Sequence, residues 1–197
     1  DSFLLESMSK ISKATLYLSN TIDDFRDFFD PKKEKSAFNT KTLIDKTLQM
    51  VESQFKNKSI EIKKNIESID LLSYENELLQ VLINILNNAR DQLLEKDIDK
   101  KLININVFEK EENIIIEIFD NAGGVKEDII DKIFEPYFTT KEKSRGTGIG
   151  LYMCEEIISK HLKGEINVEN VSLVHYGTQY MGAKFSIIIN KKSHNNE

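Results

Sequence analysis

The sequence predicts an α/β domain preceded by one long helix, and three observations lead to this prediction. Apolar residues recur every three or four positions through the first thirty residues, as on one face of a long helix. From about residue 36 onward, segments with helical periodicity alternate with short segments in which apolar and polar residues alternate, as in strands. Five of the eight glycines lie between Gly123 and Gly150. Backbone freedom is therefore concentrated in one region, and function is expected there.

Composition excludes several classes of function. The net charge of −6 disfavours nucleic-acid binding, because such proteins usually carry a basic face. The longest apolar runs are far too short to span a bilayer, so we expect no membrane contact from this segment. The single cysteine, Cys154, cannot form an internal disulfide, and its apolar helical setting predicts a place in the core. These features are typical of a cytoplasmic protein, and we expect that location.

The first segment, residues 1–31, predicts a helix that packs against another helix. Its apolar positions approximate a 3.5-residue repeat: Leu5, Met8, Ile11, Thr15, Leu18, Ile22, Phe25 and Phe29. Pro31 should end the helix, and the charged run at residues 32–35 indicates a linker. The helix could dock on its own domain. We favour a helix that forms a homodimer, because so long an apolar seam has no obvious partner nearby.

Periodicity then predicts the elements of the domain in order. The first half should contain a short strand at Phe38, a helix from Thr40 to about Phe55, a strand at Ile60 and Ile62, an amphipathic helix over 74–94, and two neighbouring strands over 102–108 and 114–119. The second half should contain a short helix over 128–133, a polar loop over 136–145, a helix over 150–162, strands over 165–171 and 184–189, and an extra hairpin turning at 176–178. Thr40 could cap the helix that begins there.

Two asparagines lie one turn apart on the amphipathic helix, in the stretch N-I-L-N-N-A-R-D. Asn84 and Asn88 leave the same face, because four residues make about one helical turn. Asparagine is a mediocre helix former, so its presence in a Leu- and Ile-rich helix requires a reason. The pair could be solvated amides. Alternatively, an amide oxygen could be offered to a hard cation such as Mg²⁺, which takes few protein ligands.

The stretch D-N-A-G-G-V, residues 120–125, follows an apolar strand. It could be a simple turn, since Asp-Asn and Gly-Gly favour turns. Alternatively, Asp120 at the end of a buried strand could accept a hydrogen bond from the exocyclic amine of adenine. Guanine would place a carbonyl oxygen there and leave the buried acceptor unpaired, at a cost of roughly 1–3 kcal/mol. Such a site would select adenine.

The remaining two motifs lie between the strands and the last helix. The stretch F-E-P-Y-F-T-T-K, residues 134–141, should anchor through its aromatic residues, and its polar end could be a mobile lid or a solvated connection. The stretch G-T-G-I-G-L, residues 146–151, is neither a dinucleotide fingerprint nor a Walker loop. It offers unobstructed backbone N–H donors at the start of a helix, which suits a polyphosphate.

In this order, the four motifs resemble those of the GHKL nucleotide-binding family, and within it the catalytic ATP-binding domain of bacterial sensor histidine kinases. Residues 84–91 resemble the N box, 120–125 the first glycine box, 134–138 the F box and 146–151 the second glycine box. The resemblance covers about residues 38–190. It implies a two-layer, Bergerat-type fold over residues 36–190, with a mixed five-stranded sheet and helices on one face, followed by a disordered tail over 191–197.

The resemblance also implies roles for individual residues, with ATP and Mg²⁺ as cofactors. Asn88 should bind Mg²⁺, with Asn84 beside it, and Asp120 should accept the adenine amine. The full set of expected cofactor-binding residues is Asn84, Asn88, Asp120, Ala122, Gly124, Val125, Ile133, Lys141, Arg145, Gly146, Thr147, Gly148, Ile149, Gly150 and Leu151. Lys141 and Arg145 are expected to reach the triphosphate from the lid, although each could equally be a solvated charge.

Several positions depart from the family pattern. Many of these kinases have a lysine three residues after the metal-binding asparagine and an aromatic residue after that. Here Asp91 and Gln92 stand at those positions, so no phosphate contact is expected from them. Together with F-T-T-K, this favours the subgroup resembling nitrogen-regulation and dicarboxylate sensors. Ala122 replaces a usual glycine, Ala183 replaces a threonine that often assists adenine binding, and the hairpin over 172–180 lengthens a usual turn.

The resemblance extends to the first helix, which is similar to the second helix of the dimerisation and phosphotransfer hairpin in these kinases. None of His161, His175 and His194 stands in an H-E-x-x-x-P-like context, so we expect the phosphate-accepting histidine to lie outside this chain. The parent protein, which could be membrane-anchored upstream, would transfer the ATP γ-phosphoryl group to that histidine and serve a response regulator receiver domain. The chain alone should bind ATP without phosphorylating itself.

Two other functions stay open. The first is a GHKL ATPase, but such ATPases place a glutamate as general base one turn before the metal-binding asparagine, where this chain has Asn84. An amide cannot accept a proton at neutral pH, so hydrolysis should be negligible. The second alternative is a non-catalytic scaffold that binds nucleotide and dimerises.

Overall fold

The computed structural model describes residues 34–96, 98–141 and 146–191, together with Met8 and Thr15. The predicted dimerisation helix over residues 1–31, Arg145 and the tail beyond Lys191 therefore lie outside the described residues, apart from those two positions. Within the described ranges, no helix is both long enough and apolar enough to cross a membrane.

The described residues form seven strands and three helices. In chain order, these are β1 Ser36–Asn39, α1 Thr40–Lys56, β2 Glu61–Ile66, β3 Asp70–Ser73, α2 Glu75–Glu95, β4 Leu102–Lys110, β5 Asn113–Asp120, α3 Gly150–Glu156, β6 Glu165–His175 and β7 Thr178–Asn190. A single 3₁₀ turn covers Ile130–Lys132, and α3 continues into a π-helical turn, Ile157–His161.

Five strands form a mixed sheet in the order β2-β4-β5-β7-β6. Only β2 and β4 are parallel, and every other neighbouring pair is antiparallel. Along β4, the fully buried Ile103, Ile105 and Val107 alternate with half-buried residues, because the helices cover one face of the sheet. Helix α2 packs against β5, α1 and α3. The predicted two-layer α/β fold with a mixed five-stranded sheet is confirmed.

The small sheet formed by β1 and β3 reveals two errors in the predicted elements. Strand β3 was not predicted, although it pairs antiparallel with β1 over four residues. The expectation that Thr40 caps α1 was wrong, because the side chain of Asn39 accepts the hydrogen bond from Lys41 N at 3.0 Å. Thr40 is buried instead. Its Oγ1 donates to Glu67 O at 2.7 Å and accepts from Ile69 N at 3.0 Å, which ties α1 to the segment before β3.

Strands β6 and β7 form one long hairpin that extends well past the end of β5. The predicted turn at 176–178 is confirmed, because Tyr176 and Gly177 both have positive φ, at 47° and 75°, as a two-residue hairpin turn requires. The hairpin is continuous with the strands rather than an insertion between them, as its unbroken pairing from Glu165 to His175 shows. Its extension brings β6 and β7 to the end of β5, where Asp120 lies.

Candidate functional site

A cavity of about 740 Å³ lies between α2, the loop after β5 and the segment leading into α3. This volume falls within the usual range for small-molecule sites. The cavity brings together parts of all four sequence motifs. Among the expected site residues it is lined by Asn84, Asn88, Asp120, Ala122, Gly124, Val125, Ile133, Lys141, Gly146, Thr147, Gly148, Gly150 and Leu151. Ile149 is buried beside it and is not part of the wall, and Arg145 lies outside the described residues.

A buried carboxylate lies at one end of the cavity, where β5 ends. Asp120 is 5% exposed, and its Oδ1 accepts a hydrogen bond from Ala122 N at 2.9 Å. Burial raises the pKa of Asp120 to about 6, and the N–H groups of Ala122 and Ala183 and the Lys96 ammonium oppose that shift. Asp120 is therefore mostly ionised at neutral pH. A ligand with an N–H donor could pair with this charge and offset the cost of burying it.

The loop after β5 is held by the β6–β7 hairpin. The Asn170 side chain accepts from Val125 N at 2.8 Å and donates to Val125 O at 2.7 Å. In addition, Gly123 N donates to Met181 O at 2.8 Å. Gly124 has φ of 76°, and a Cβ there would overlap the Asn170 amide. The hairpin therefore fixes the shape of the loop, and Asn170 is a site residue that the sequence analysis missed.

Gly182 is a second missed residue at this end of the cavity. A Cβ at this position of β7 would overlap the carbonyl oxygen of Asp120, so only glycine lets the hairpin approach the end of β5 so closely. A sequence signal existed, since an isolated glycine in a strand often marks close approach of another backbone. Asn170 offered no comparable signal, because a polar residue on an edge strand is common.

Helix α2 forms the wall opposite the glycine-rich segment. Asn84 and Asn88 both face the cavity, as their one-turn spacing predicts, and Asn84 lies nearest to Gly150 at the start of α3. The amide oxygen of Asn88 accepts a hydrogen bond from Lys141 Nζ at 3.3 Å. This contact demonstrates that a cation can occupy the space beside that oxygen.

Lys141 makes its shortest contact with a residue that was not expected at the site. Its Nζ lies 2.7 Å from Asp91 Oδ2. Burial alone would raise the pKa of Asp91, but hydrogen bonds and charge from Lys141 and Arg90 outweigh burial and hold that pKa below its ordinary value. Asp91 is thus linked to the cavity wall through its ion pair with Lys141. The sequence analysis noted Asp91 only as a departure from the family pattern, and nothing in the local sequence indicates its ion pair with Lys141.

The segment before α3 packs on the F-E-P-Y-F stretch. Gly148 has φ of 67°, and a Cβ there would overlap the backbone carbonyl of Tyr137, whose N–H donates to Gly148 O at 2.9 Å. Gly148 is therefore required by packing alone. Phe134 and Phe138 pack against the core as the expected anchors, with Phe134 edge-to-face on Phe185 at 6.4 Å. Tyr137 is 71% exposed and anchors nothing.

The site suits a cation that needs few protein ligands. Among the described residues, no group of three or more His, Cys, Asp or Glu side chains is arranged to hold a metal. The Asn88 amide oxygen is one of several oxygen donors in the cavity wall, and it already faces the positive charge of Lys141. Mg²⁺ keeps several waters and usually binds through one or two protein oxygens together with substrate phosphates, so this donor set fits it.

The two described histidines have contacts away from the cavity. His161 Nδ1 lies 2.8 Å from Glu77 Oε1, at the end of the last helical turn. His175 is buried under the hairpin turn, 3.5 Å from Glu61. Neither belongs to the cavity wall. The third, His194, lies outside the described residues.

Comparison with known proteins identifies the family of this domain. The family model described as "Histidine kinase-, DNA gyrase B-, and HSP90-like ATPase" matches residues 73–193. The chain is 34% identical over 138 residues to sporulation kinase A of Bacillus subtilis, covering 69% of this chain and 22% of that protein. It is 32% identical over 144 residues to the sensor protein KdpD of Clostridium acetobutylicum, covering 71% of this chain and 15% of that protein. The chain thus spans between about a seventh and about a fifth of these relatives' lengths.

Solved structures have the same fold. The catalytic domain of the histidine kinase ThkA superposes with a TM-score of 0.66 at 26% identity, covering 80% of this chain and 96% of that domain. The histidine kinase ThkA in complex with the response regulator protein TrrA also superposes with a TM-score of 0.66, at 22% identity, covering 90% of this chain and 49% of that chain.

Proposed function

The chain belongs to the family of histidine kinase-, DNA gyrase B- and HSP90-like ATPases as the ATP-binding catalytic portion of a sensor histidine kinase, and from this premise we propose how its cavity is used. The cavity binds ATP together with Mg²⁺, with the base at Asp120 and the phosphates between α2 and the segment leading into α3. The observation that carries this proposal is the buried, ionised Asp120 in a cavity shared by all four motifs.

The adenine end of the proposed site depends on one carboxylate. Asp120 accepts a hydrogen bond from the exocyclic amine, while Ala122, Gly124 and Val125 lie along the ring. Ile133 and Leu151 supply apolar walls. The two hydrogen bonds between the Asn170 side chain and the backbone of Val125 hold this loop in place before the ligand binds, which lowers the entropy cost of binding. Guanine would set a carbonyl oxygen against Asp120 and is rejected.

The phosphate end depends on backbone donors and on four side chains. In the proposal, Asn88 holds Mg²⁺ through its amide oxygen and Asn84 lines the same space. Backbone N–H groups of residues 146–151, which include Thr147 and the buried Ile149, donate to phosphate oxygens. Lys141 and Arg145 add positive charge. Bound Mg²⁺ would supply charge against the negative charge that develops on the transferred phosphoryl group.

The proposal for the parent protein is phosphoryl transfer to a histidine outside this chain. The similarity to known kinases, a sporulation kinase among them, supports this assignment. Residues 1–31 would supply the second helix of a dimerisation hairpin and hence a homodimer. A response regulator receiver domain would take the phosphoryl group, as the ThkA–TrrA complex suggests by analogy. We place this portion in the cytoplasm, where ATP is available.

An ATPase function is less well supported by the cavity. Its described wall contains the carboxylates Glu95, Asp120 and Asp128, whereas the position one turn before Asn88 carries the amide of Asn84. Activation of water by α2 would need a carboxylate at that position. The chain should therefore hold ATP without appreciable hydrolysis.

The proposed function is tested by mixing the purified chain with a separate protein that carries the acceptor hairpin of the same parent, together with ATP radiolabelled on its γ-phosphate. We expect label on the acceptor histidine, and no label when the chain carries Asp120→Ala. ATP binding without transfer would instead support a scaffold. Rapid release of labelled phosphate without the acceptor would support an ATPase.

A further inference from the structure

Lys141 is held in the cavity wall by contacts with two residues of α2. Its Nζ lies 2.7 Å from Asp91 Oδ2 and 3.3 Å from Asn88 Oδ1. The Lys141 side chain is only 19% exposed and that of Asp91 33%. A lysine on a surface loop normally samples many rotamers, so this placement of its ammonium needs a fixed partner. The ion pair with Asp91 supplies one.

Asp91 is itself fixed by a chain of contacts that reaches α1. Arg90 donates to Asp91 Oδ1 through Nε at 2.9 Å and through Nη2 at 2.7 Å. The same guanidinium donates through Nη1 to Asn87 Oδ1 at 2.9 Å and to Gln54 of α1. Each carboxylate oxygen of Asp91 therefore has one cationic partner, and the orientation of the carboxylate is set by two packed helices.

The net charge of Lys141, Arg90 and Asp91 favours the binding of an anion. Lys141 and Arg90 contribute two positive charges and Asp91 one negative charge, so the trio keeps a net charge of +1. An ammonium has three N–H donors, and only two of those on Lys141 are used by Asp91 and Asn88. Lys141 can therefore keep its ion pair and donate to a phosphate oxygen at the same time.

We propose that Asp91 is a positioning residue of the nucleotide site: its carboxylate holds the Lys141 ammonium beside Asn88, where it meets the phosphates of ATP. This inference rests on the proposed function, because it takes the α2 side of the cavity as the phosphate end. Asp91 touches no ligand and acts through Lys141. The positive charge is thus brought to the phosphates by a loop lysine that a helix carboxylate fixes in place.

A double-mutant cycle with two ligands tests the proposal. The variants are Asp91→Asn, Lys141→Met and the double variant. The control is Glu75→Gln. Glu75 lies on the same helix as Asp91 but outside the cavity wall, and the substitution breaks its ion pair with Lys46 of α1, 3.1 Å away. Binding of a magnesium-loaded, non-hydrolysable ATP analogue is measured by calorimetry. Binding of adenosine, which lacks phosphates, is measured by chemical-shift titration and also reports on the integrity of the fold.

We expect Asp91→Asn to weaken binding of the ATP analogue about fivefold, the factor that corresponds to about 1 kcal/mol for a partly exposed ion pair. Adenosine binding should change by less than about twofold, and Glu75→Gln should change neither. In the Lys141→Met background, Asp91→Asn should have no further effect, since a residue that acts through Lys141 is silent without it.

Three outcomes would overturn the proposal. An unchanged affinity of Asp91→Asn for the ATP analogue would mean that Lys141 needs no positioning. An equal loss of adenosine binding would mean that Asp91 supports the fold. Additive losses in the double variant would mean that Asp91 acts independently of Lys141. If the unsubstituted chain bound neither ligand, the proposed function itself would fail, which is a distinguishable result.

Discussion

The replacement Asp120→Asn separates the stability of the fold from the function of the site. Burial raises the pKa of Asp120 from 3.8 to about 6, so at neutral pH the ionised carboxylate destabilises the folded chain. A group with a raised folded-state pKa contributes stability below the unfolded pKa, and that contribution is lost as the pH rises from about 4 to about 6. At pH 7, the shift of about two units corresponds to a penalty of about 3 kcal/mol.

Asparagine removes this charge but also changes the hydrogen bonding. Asp120 accepts from backbone N–H groups, and an amide has one acceptor oxygen fewer, which costs about 1–3 kcal/mol if an N–H is left unpaired. At pH 7, the gain from removing the buried charge and the cost of the lost acceptor partly cancel. Only the gain varies with pH, because the charge of Asp120 titrates and the hydrogen bonding of asparagine does not. At about pH 4.5, roughly 1 kcal/mol of the penalty remains. The stability of the variant relative to the unsubstituted chain should therefore be about 2 kcal/mol more favourable at pH 7 than at pH 4.5.

Urea unfolding at the two pH values measures this difference. The exposed Asp99→Asn serves as the control for the loss of one negative charge. We expect the relative stability of Asp120→Asn to rise with pH by about 2 kcal/mol beyond the control, while the affinity for ATP falls at least about tenfold. A relative stability that is constant with pH would refute the conclusion that Asp120 is a strained, buried charge in the nucleotide-free fold.

Three further predictions concern the affinity for nucleotide. Because an ionised carboxylate accepts the adenine amine more strongly than a protonated one, the affinity for ATP should fall below about pH 6 and be up to about tenfold weaker at pH 5. The affinity of Asp120→Asn for ATP should lack this pH dependence, and a parallel profile for the two chains would contradict the prediction. Asn88→Ala should remove most of the gain in ATP affinity that Mg²⁺ provides, measured as the ratio of dissociation constants with and without the metal. An unchanged ratio would exclude Asn88 as the ligand. Asn170→Ala breaks both hydrogen bonds to Val125 and should lower the free energy of unfolding by about 1–3 kcal/mol and weaken ATP binding. Full ATP affinity of Asn170→Ala would show that the loop does not need the hydrogen bonds from Asn170.

The parts of the site that could be predicted from the sequence are those in which neighbouring residues carry the signal. Asn84 and Asn88 share a face because of helix geometry alone. Asp120 follows an apolar strand, and the alternating glycines precede a helix, so each motif could be placed on its element without tertiary information. The predicted strands are present, with ends shifted by up to six residues, and so are the longer helices of the domain. The short helix predicted over 128–133 is instead a single 3₁₀ turn, Ile130–Lys132. The mixed five-stranded sheet and the single covered face were expected from the resemblance to a family. The order of the strands was not predicted, because periodicity does not encode the pairing of strands.

The parts that could not be predicted depend on contacts between distant positions. Asn170 and Val125 are 45 residues apart, and only the register of the long β6–β7 hairpin brings them together. Lys141 and Asp91 are separated by 50 residues. Strand β3 has only four residues, too few for an alternating pattern to stand out. At the start of α1, Asn39 and Thr40 are both good capping residues, and the choice was decided by the burial of Thr40 against the segment before β3.

The most direct test of the account is a calorimetric titration of this chain with magnesium-loaded ATP and, separately, with magnesium-loaded GTP. If a single buried acid recognises the amine of adenine, ATP should bind with measurable heat. GTP should bind at least about tenfold more weakly, which corresponds to roughly 1.4 kcal/mol or more. The Asp120→Ala chain should then lose ATP binding. Equal affinity for the two nucleotides, or full ATP affinity after Asp120→Ala, would contradict the account.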